Sequence, residues 1–206
     1  MSTFIYHFSH HSHLKSVSER GLVCKESISS QSYIDISSQS VQDNRSRTNV
    51  PITPPNGNLH NYVPFYFGPL SPTLFTISRN PDEHGGVAQR DLIYFLTTAE
   101  RIASDGLDFV FTDGHGVMVM TDFYSDLNDL TSVDQAIVGE RYWADTPEDP
   151  DRKRRKQAEF LVHQTCPWEQ IVGIGVFDEE MKQYVDIKIA NSTHKPQVAI
   201  RRNWYY

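Results

Sequence analysis

Apolar positions recur on two different periods along the chain, and the switches between them mark out the elements. Alternation over IYHF predicts a first strand with Ile5 and His7 on one face and Tyr6 and Phe8 on the other. Leu14, Val17 and Leu22 follow near helical spacing, and Gly21 stands where a helix-ending glycine belongs. Residues 26–49 are polar and rich in serine and glutamine, which suits a loop or a weak helix over a ligand site rather than a core element. VPITPPNGN then places three prolines and a glycine in nine residues, a turn that no helix contains. YVPFYFGPLSPTLFTIS reads as short extended pieces bent at its prolines. DLIYFLTTAERIASDG reads as a strand running into a helix that ends at Gly106. Phe109 to Phe111 reads as a short buried strand opening into a turn at Asp113 and Gly114. Phe123, Leu127, Leu130 and Val133 fall at helical spacing. KQAEFLVH, IVGIGVF and QVAIRR are strand-like, and VDIKI fits a strand or a helix. No repeat is visible. The pattern predicts one α+β domain over residues 1–206 with a mixed or split antiparallel sheet.

Composition narrows the class. A chain of 206 residues with 38% hydrophobic and 22% charged residues can bury one core, and is neither disordered nor fibrous. No apolar run reaches the roughly 20 residues of a membrane helix, and MSTFIYHFSHHSHLK lacks the pattern of a secretory leader. Cys24 and Cys166 are far apart and unaccompanied, so neither a disulfide framework nor a zinc knuckle is expected. A cytoplasmic location follows as the expectation. The net charge of −7 argues against a partner held by bulk electrostatics, such as duplex DNA or an anionic membrane. Its distribution changes that picture. Residues 100–151 hold 13 of the 26 carboxylates, and five consecutive cations, Arg152 to Lys156, come directly after them. That basic run is either a solvated face or a local phosphate site.

The chain contains no GxSxG, GxxxxGK[ST], HExxH or GxGxxG string. The GxG of IVGIGVF has no third glycine opening a helix, which argues against a Rossmann site but not against a nucleotide bound another way. His10, His11 and His13, with His7 on the preceding strand, invite a metal hypothesis. With no Cys or acidic residue close in sequence, however, polar turn histidines are the plainer reading, and no metal is expected. Glu159 in QAEFLV is a carboxylate on an apolar element, costly to bury without a partner. It is either half of a buried salt bridge or a rigid group that grips a sugar hydroxyl and steadies a developing cation. Arg45 and Arg47 are anion-binding candidates or plainly solvent-exposed. Tyr62, Tyr66 and Phe67 either stack on bases or pack in the core.

In these residues the chain resembles the DarT toxins, DNA ADP-ribosyltransferases of toxin–antitoxin pairs. The resemblance runs through IYHFSH, NRSRTNVP, LHNYVPFYFGPLSPTLF, FVFTDGHG, FYSDLNDL, YWAD, KQAEFLV, CPWEQI and the final WYY, in matching order across nearly the whole chain. It implies an ADP-ribosyltransferase fold related to the poly(ADP-ribose) polymerases, in which a split sheet binds NAD+ without a Rossmann motif. The family's H-x-[ST] on the first strand corresponds to His7 and Ser9, with Phe8 between them, at the nicotinamide and its ribose. Ser16, Gly21 and Leu22 correspond to further lining of that pocket. The loop arginine corresponds to Arg45, with Arg47 as its companion, and the catalytic glutamate to Glu159. His115 falls near the active site, and Tyr66, Arg154 and Arg155 are expected on the DNA path.

The reaction so implied is transfer of ADP-ribose from NAD+ to a base of single-stranded DNA, thymine before guanine, which blocks replication. Glu159 holds the ribose 2-hydroxyl and stabilises the oxocarbenium-like carbon. The family's Arg45 position is assigned the proton-accepting role, but a guanidinium is a very poor base. Arg45 is therefore expected to stabilise the deprotonated base. The resemblance also implies a macrodomain antitoxin of the DarG kind, and a monomer is the simplest assembly. The loop SSQSYIDISSQSVQDNRSRTN is less basic than in some members, which bears on the choice of base. The competing readings are a relative acting on guanine, RNA or protein, an inactive nucleic-acid-binding module, and a metal-dependent nuclease.

Overall fold

The computed structural model describes residues 2–28 and 33–206. In chain order the strands are β1 (Phe4–His10), β2 (Leu22–Val23), β3 (Tyr62–Tyr66), β4 (Leu92–Thr98), β5 (Phe109–Thr112), β6 (Phe123–Tyr124), β7 (Glu159–His163), β8 (Thr165–Cys166), β9 (Gly173–Val176) and β10 (Gln197–Ile200). The helices are α1 (Leu14–Arg20), α2 (Gln39–Arg47), α3 (Pro72–Arg79), α4 (Ala99–Ser104), α5 (Gln135–Gly139), α6 (Arg152–Lys156) and α7 (Glu179–Ile189). Eight strands form one sheet in the order β10-β9-β4-β1-β3-β7-β5-β6, antiparallel except for β10 beside β9, and β2 pairs with β8.

The sheet is split at its centre. β1 pairs with β4 over seven residues and β3 with β7 over five, whereas β1 and β3 meet only at Tyr6 and Tyr66. Proline at position 64 gives β3 no N–H there for a ladder. Instead the Nδ1 of His7 donates to the Pro64 carbonyl across the seam at 2.7 Å. Two half-sheets therefore join at one backbone pair and one imidazole.

Alternation along each strand fixes two faces. On one, Ile5, Phe65, Phe95, Phe111 and Phe160 form the main core with Leu14 and Val17 of α1 and Val185 and Ile189 of α7. On the other, Phe8 and Tyr94 pack under Leu74 and Ile77 of α3 and against Tyr205. Val110 and Leu161 pack there under Val50, Leu59 and Tyr62. Direct pairing of Tyr6 with Tyr66, and of Tyr66 with Glu159, puts these three side chains on this second face.

Several predicted elements change identity. Residues 72–79 form a helix rather than an extended piece, because Ser71 caps it by accepting from the Leu74 N–H and Pro72 occupies its first turn. Leu22 starts β2 instead of continuing α1. Gly21 ends α1 at φ 78°, and a Cβ there would lie 2.5 Å from the Cys166 carbonyl oxygen. The helical spacing over 123–138 resolves into β6, a 3-10 turn and the short α5, because Asp126 and Asp134 each cap a new start. VDIKI is the second half of α7.

Most of the basic run is spent inside the fold, and Lys153 alone of its five cations is exposed. Arg154 pairs with Asp113 and Asp151, and Arg155 with Asp134 and Asp149. Lys156 is buried, its ammonium donating to the carbonyls of Val138 (2.8 Å) and Glu140 (2.6 Å). The acidic stretch before the run supplies the carboxylates that absorb it.

Candidate active site

Glu159 opens β7 at the split, where its backbone N–H donates to Thr112 Oγ1 at 3.0 Å. The Thr112 hydroxyl in turn donates to the Gly114 carbonyl at 2.7 Å. This ties the strand end that carries the carboxylate to the turn after β5. α2 lies over it. The helix is almost wholly polar, as its composition predicts, yet its Arg45 is only 6% exposed, because it reaches down to Glu159. The Arg45 Nη1 donates to Glu159 Oε1 at 2.7 Å, and Glu159 is 3% exposed. Arg45 is therefore not solvent-exposed, and Glu159 is half of a buried ion pair.

The pair is incomplete. Arg45 Nη2 and Glu159 Oε2 are buried without a hydrogen-bond partner among the described residues, and so is His60 Nε2. Leaving such atoms unmade costs about 1–3 kcal/mol each, and more when charged. Together they present a donor and an acceptor side by side, which is the complement of a sugar hydroxyl. Gly116 closes the other side of the carboxylate, since a Cβ there would stand 2.8 Å from Glu159 Oε2.

Histidines edge the pair. His115 is held by its N–H to the Arg154 carbonyl (3.0 Å), and burial lowers its pKa, Glu159 pulling the other way and Arg45 adding to the fall. His60 is lowered by burial and then by the Arg45 guanidinium. Both rings are therefore neutral at pH 7. Tyr66 stacks on Phe8 with ring centroids 6.0 Å apart and shares a hydrogen bond with Thr73 Oγ1 at 3.1 Å. Burial and then the Glu159 charge raise its pKa.

The structure brings Arg45, Glu159, Tyr66, Phe8 and His115 together, and sets other expected residues apart. His7 lies on the opposite face of β1, buried between Phe65 and Phe95 at the seam, with its pKa lowered by burial. Ser9 shares that face and bonds His13 Nδ1 at 2.7 Å. Ser16 accepts from Arg20 at 2.6 Å, and Leu22 is a core residue against Cys166. Arg47 is exposed two positions past Arg45. Arg154 and Arg155 spend their guanidinium groups on aspartates. Arg154 fills the space over Gly114 and positions the turn that carries His115.

Sequence reasoning missed Thr112, Gly116 and His60, which no periodicity marks because they lie at a strand end and in turns. His10, His11 and His13 do cluster, their rings 4.4 and 6.1 Å apart around His10. Among the described residues no group of three His, Cys, Asp or Glu side chains is placed to hold a metal ion. Cys24 and Cys166 are both free and buried. No described helix is long and apolar enough to cross a membrane.

A split sheet with a buried arginine–glutamate pair at its junction, and no dinucleotide-binding glycine loop, defines an ADP-ribosyltransferase architecture. Residues 6–206 match the family described as "DarT: ssDNA thymidine ADP-ribosyltransferase, DarT". A DNA ADP-ribosyl transferase of Thermus sp. (strain 2.9) is 37% identical over 99% of this chain and 96% of its own. The structure of Thermus sp. 2.9 DarT in complex with ADP-ribosylated ssDNA superposes with a TM-score of 0.91 at 35% identity, covering 99% of this chain and 96% of that one. Its complex with NAD+ does so with a TM-score of 0.86 at 34% identity, covering 99% and 98%. The chain belongs to the DarT family.

Proposed function

We propose that this chain transfers ADP-ribose from NAD+ to a thymine base of single-stranded DNA. The observation that carries the reading is the pair of unspent buried atoms, Arg45 Nη2 and Glu159 Oε2, at the junction of the half-sheets. The Thermus relative is known with both NAD+ and ADP-ribosylated ssDNA, and the family description names thymidine.

In the reaction the glycosidic bond between the nicotinamide nitrogen and the ribose C1 breaks, and nicotinamide leaves with the bonding pair. C1 becomes oxocarbenium-like, and a ring nitrogen of the base forms the new bond while its proton passes to water. Glu159 Oε2 accepts from the ribose 2-hydroxyl and faces the growing positive charge, an interaction that strengthens toward the transition state. Arg45 stays protonated throughout. Its free Nη2 donates to an oxygen of the base and so favours the deprotonated nucleophile. His7 and Ser9, on β1 at the seam, keep the nicotinamide-side role that the resemblance gives them. Gly21 and Leu22 shape the β2 wall from behind, and Arg47 meets the phosphate backbone.

The protein acts as a cytoplasmic monomer, and a macrodomain partner of the DarG kind removes the modification. The partner rests on the family resemblance, the location on composition, and the monomer on being the simplest assembly.

The test is intact-mass analysis of short single strands after incubation with the protein and NAD+. One ADP-ribose added only to thymine-containing strands is the expected result. Addition that follows guanine instead overturns the base, and addition to RNA or protein but to no DNA strand overturns the acceptor.

A further inference from the structure

Ser9, near the end of β1, is 9% exposed, and its hydroxyl has one short partner, the Nδ1 of His13 at 2.7 Å. Its other neighbour, the His10 carbonyl, lies at 3.4 Å. That is long beside the roughly 2.8 Å of an ordinary O–H···O bond. Which atom of the short bond carries the hydrogen decides what Ser9 offers a ligand. A serine that donates to the ring keeps only lone pairs free, whereas a serine that accepts keeps its hydrogen.

The other ring nitrogen answers that question. His13 Nε2 faces the backbone N–H of Ile34 at 3.1 Å. A backbone amide nitrogen only donates, so Nε2 holds a lone pair and the proton of the neutral ring sits on Nδ1. Burial and then the neighbouring histidines lower the His13 pKa to about 4, so the ring is neutral at pH 7. Nδ1 therefore donates to Ser9 Oγ, and the Ser9 hydrogen is left for another acceptor.

Ile34 belongs to a strap, residues 33–38, that leads into α2 and so to Arg45. The strap is pinned at three points. Tyr33 stacks on the His13 ring at 4.8 Å, Lys25 pairs with Asp35 at 2.6 Å, and the buried His84 donates from Nδ1 to the Ile36 carbonyl at 2.8 Å. Ile34 and Ile36 pack in the cluster that holds Phe8. α2 itself buries only Arg45, so the strap anchors the N-terminal end of that helix.

We propose that His13 is a positioning residue for NAD+: with the strap in place, its Nδ1–H turns the Ser9 hydroxyl into a donor toward the nicotinamide end of the dinucleotide. The inference rests on the ADP-ribosyl transfer reading above, in which Ser9 lies at the nicotinamide and its ribose. Both groups present oxygen acceptors, the carboxamide carbonyl and the ribose hydroxyls. One segment thereby sets both halves of the site. Its Ile34 amide prepares Ser9 for the dinucleotide, and its continuation delivers Arg45 to Glu159. With the strap withdrawn the ring proton is free to move to Nε2, and Ser9 then donates to the ring instead of the ligand.

The experiment follows nicotinamide release while NAD+ and a thymine-containing strand are varied in turn. Ser9→Ala is expected to raise the KM for NAD+ about three- to ten-fold, the worth of one neutral hydrogen bond, and to leave the KM for DNA unchanged. His13→Gln keeps a side-chain oxygen for the Ile34 amide but leaves Ser9 without its donor, and should raise the KM for NAD+ by a similar factor. The double variant should be no worse than the poorer single one, because both act through one hydroxyl. Nitrogen NMR of the unsubstituted protein labelled at histidine should show His13 protonated at Nδ1 and bare at Nε2. A proton found on Nε2, effects that multiply in the double variant, or a KM for NAD+ untouched by Ser9→Ala each overturn the proposal while the unsubstituted protein remains active. Transfer to no strand at all by the unsubstituted protein overturns the reading beneath it, and the role of His13 with it.

Discussion

Glu159 and Arg45 each keep one polar atom out of their ion pair, and that incompleteness separates a site from a structural salt bridge. A buried pair that served only the fold would be expected to satisfy its remaining atoms, since each one left without a partner costs about 1–3 kcal/mol and more when charged. Here the Thr112 hydroxyl accepts from the Glu159 backbone N–H and fixes the strand end, and the bare Gly116 lets the turn close against the carboxylate. Gly116→Ala tests the close approach. The added methyl would press on Glu159 Oε2, so transfer should fall about 100-fold, the scale of losing one stabilising contact to a developing charge. The melting temperature should move little, because no left-handed backbone is required at that position. A large loss of stability with normal activity per folded molecule would contradict this. Glu159 was legible in the sequence because a charge interrupts an apolar run. The burial of Arg45 was not, since its own helix is almost wholly polar and only the partner on β7 draws it inward.

At the scale of elements, the seam and the strap over the site follow from single side chains. His7 occupies the seam because proline at position 64 leaves that stretch of β1 and β3 without a regular ladder. The local alternation had already placed His7 with Ile5 on one face of β1. His13 ties β1 to the segment leading into α2. Its Nδ1 bonds Ser9 Oγ at 2.7 Å, its Nε2 accepts from the Ile34 N–H at 3.1 Å, and its ring stacks on Tyr33 at 4.8 Å. These contacts require a neutral ring. Burial first, and then the neighbouring histidines, lower its pKa from 6.5 to about 4. Above pH 6.5 the ring is neutral in both the folded and the unfolded chain, so stability is unaffected by it. Between pH 6.5 and about 4 the unfolded chain takes up a proton that the folded one refuses, so stability falls as pH falls. The melting temperature should therefore drop across that window, and drop less in His13→Asn. Equal slopes in the two proteins would remove His13 from the strap. The helix at 72–79 was misread for a related reason. Its prolines suggested bends, and the Ser71-Pro72 start signal was the stronger cue.

Across the whole molecule, charge is organised by sequence blocks rather than by surface. The acidic stretch and the basic run that follows it neutralise one another around the turn carrying His115, so that run shows DNA few free cations. Cations outside any ion pair among the described residues, such as Arg47, Arg79, Arg141 and Lys153, are scattered over the chain rather than gathered in one run, against a net charge of −7. The α+β class, the strand pieces and the candidacy of Arg45 and Glu159 were legible because they rest on local periodicity and on long, peculiar strings. The residues that shape the cleft were not, since Thr112, Gly116 and His60 act only through partners distant in sequence. The most direct test of the account compares the unsubstituted protein with Glu159→Gln on one thymine-containing strand and NAD+, following nicotinamide release and strand mass together and checking by circular dichroism that both are folded. The account predicts stoichiometric nicotinamide release and one ADP-ribose per modified thymine with glutamate, and neither with glutamine. Transfer undiminished in a folded Glu159→Gln protein would contradict it.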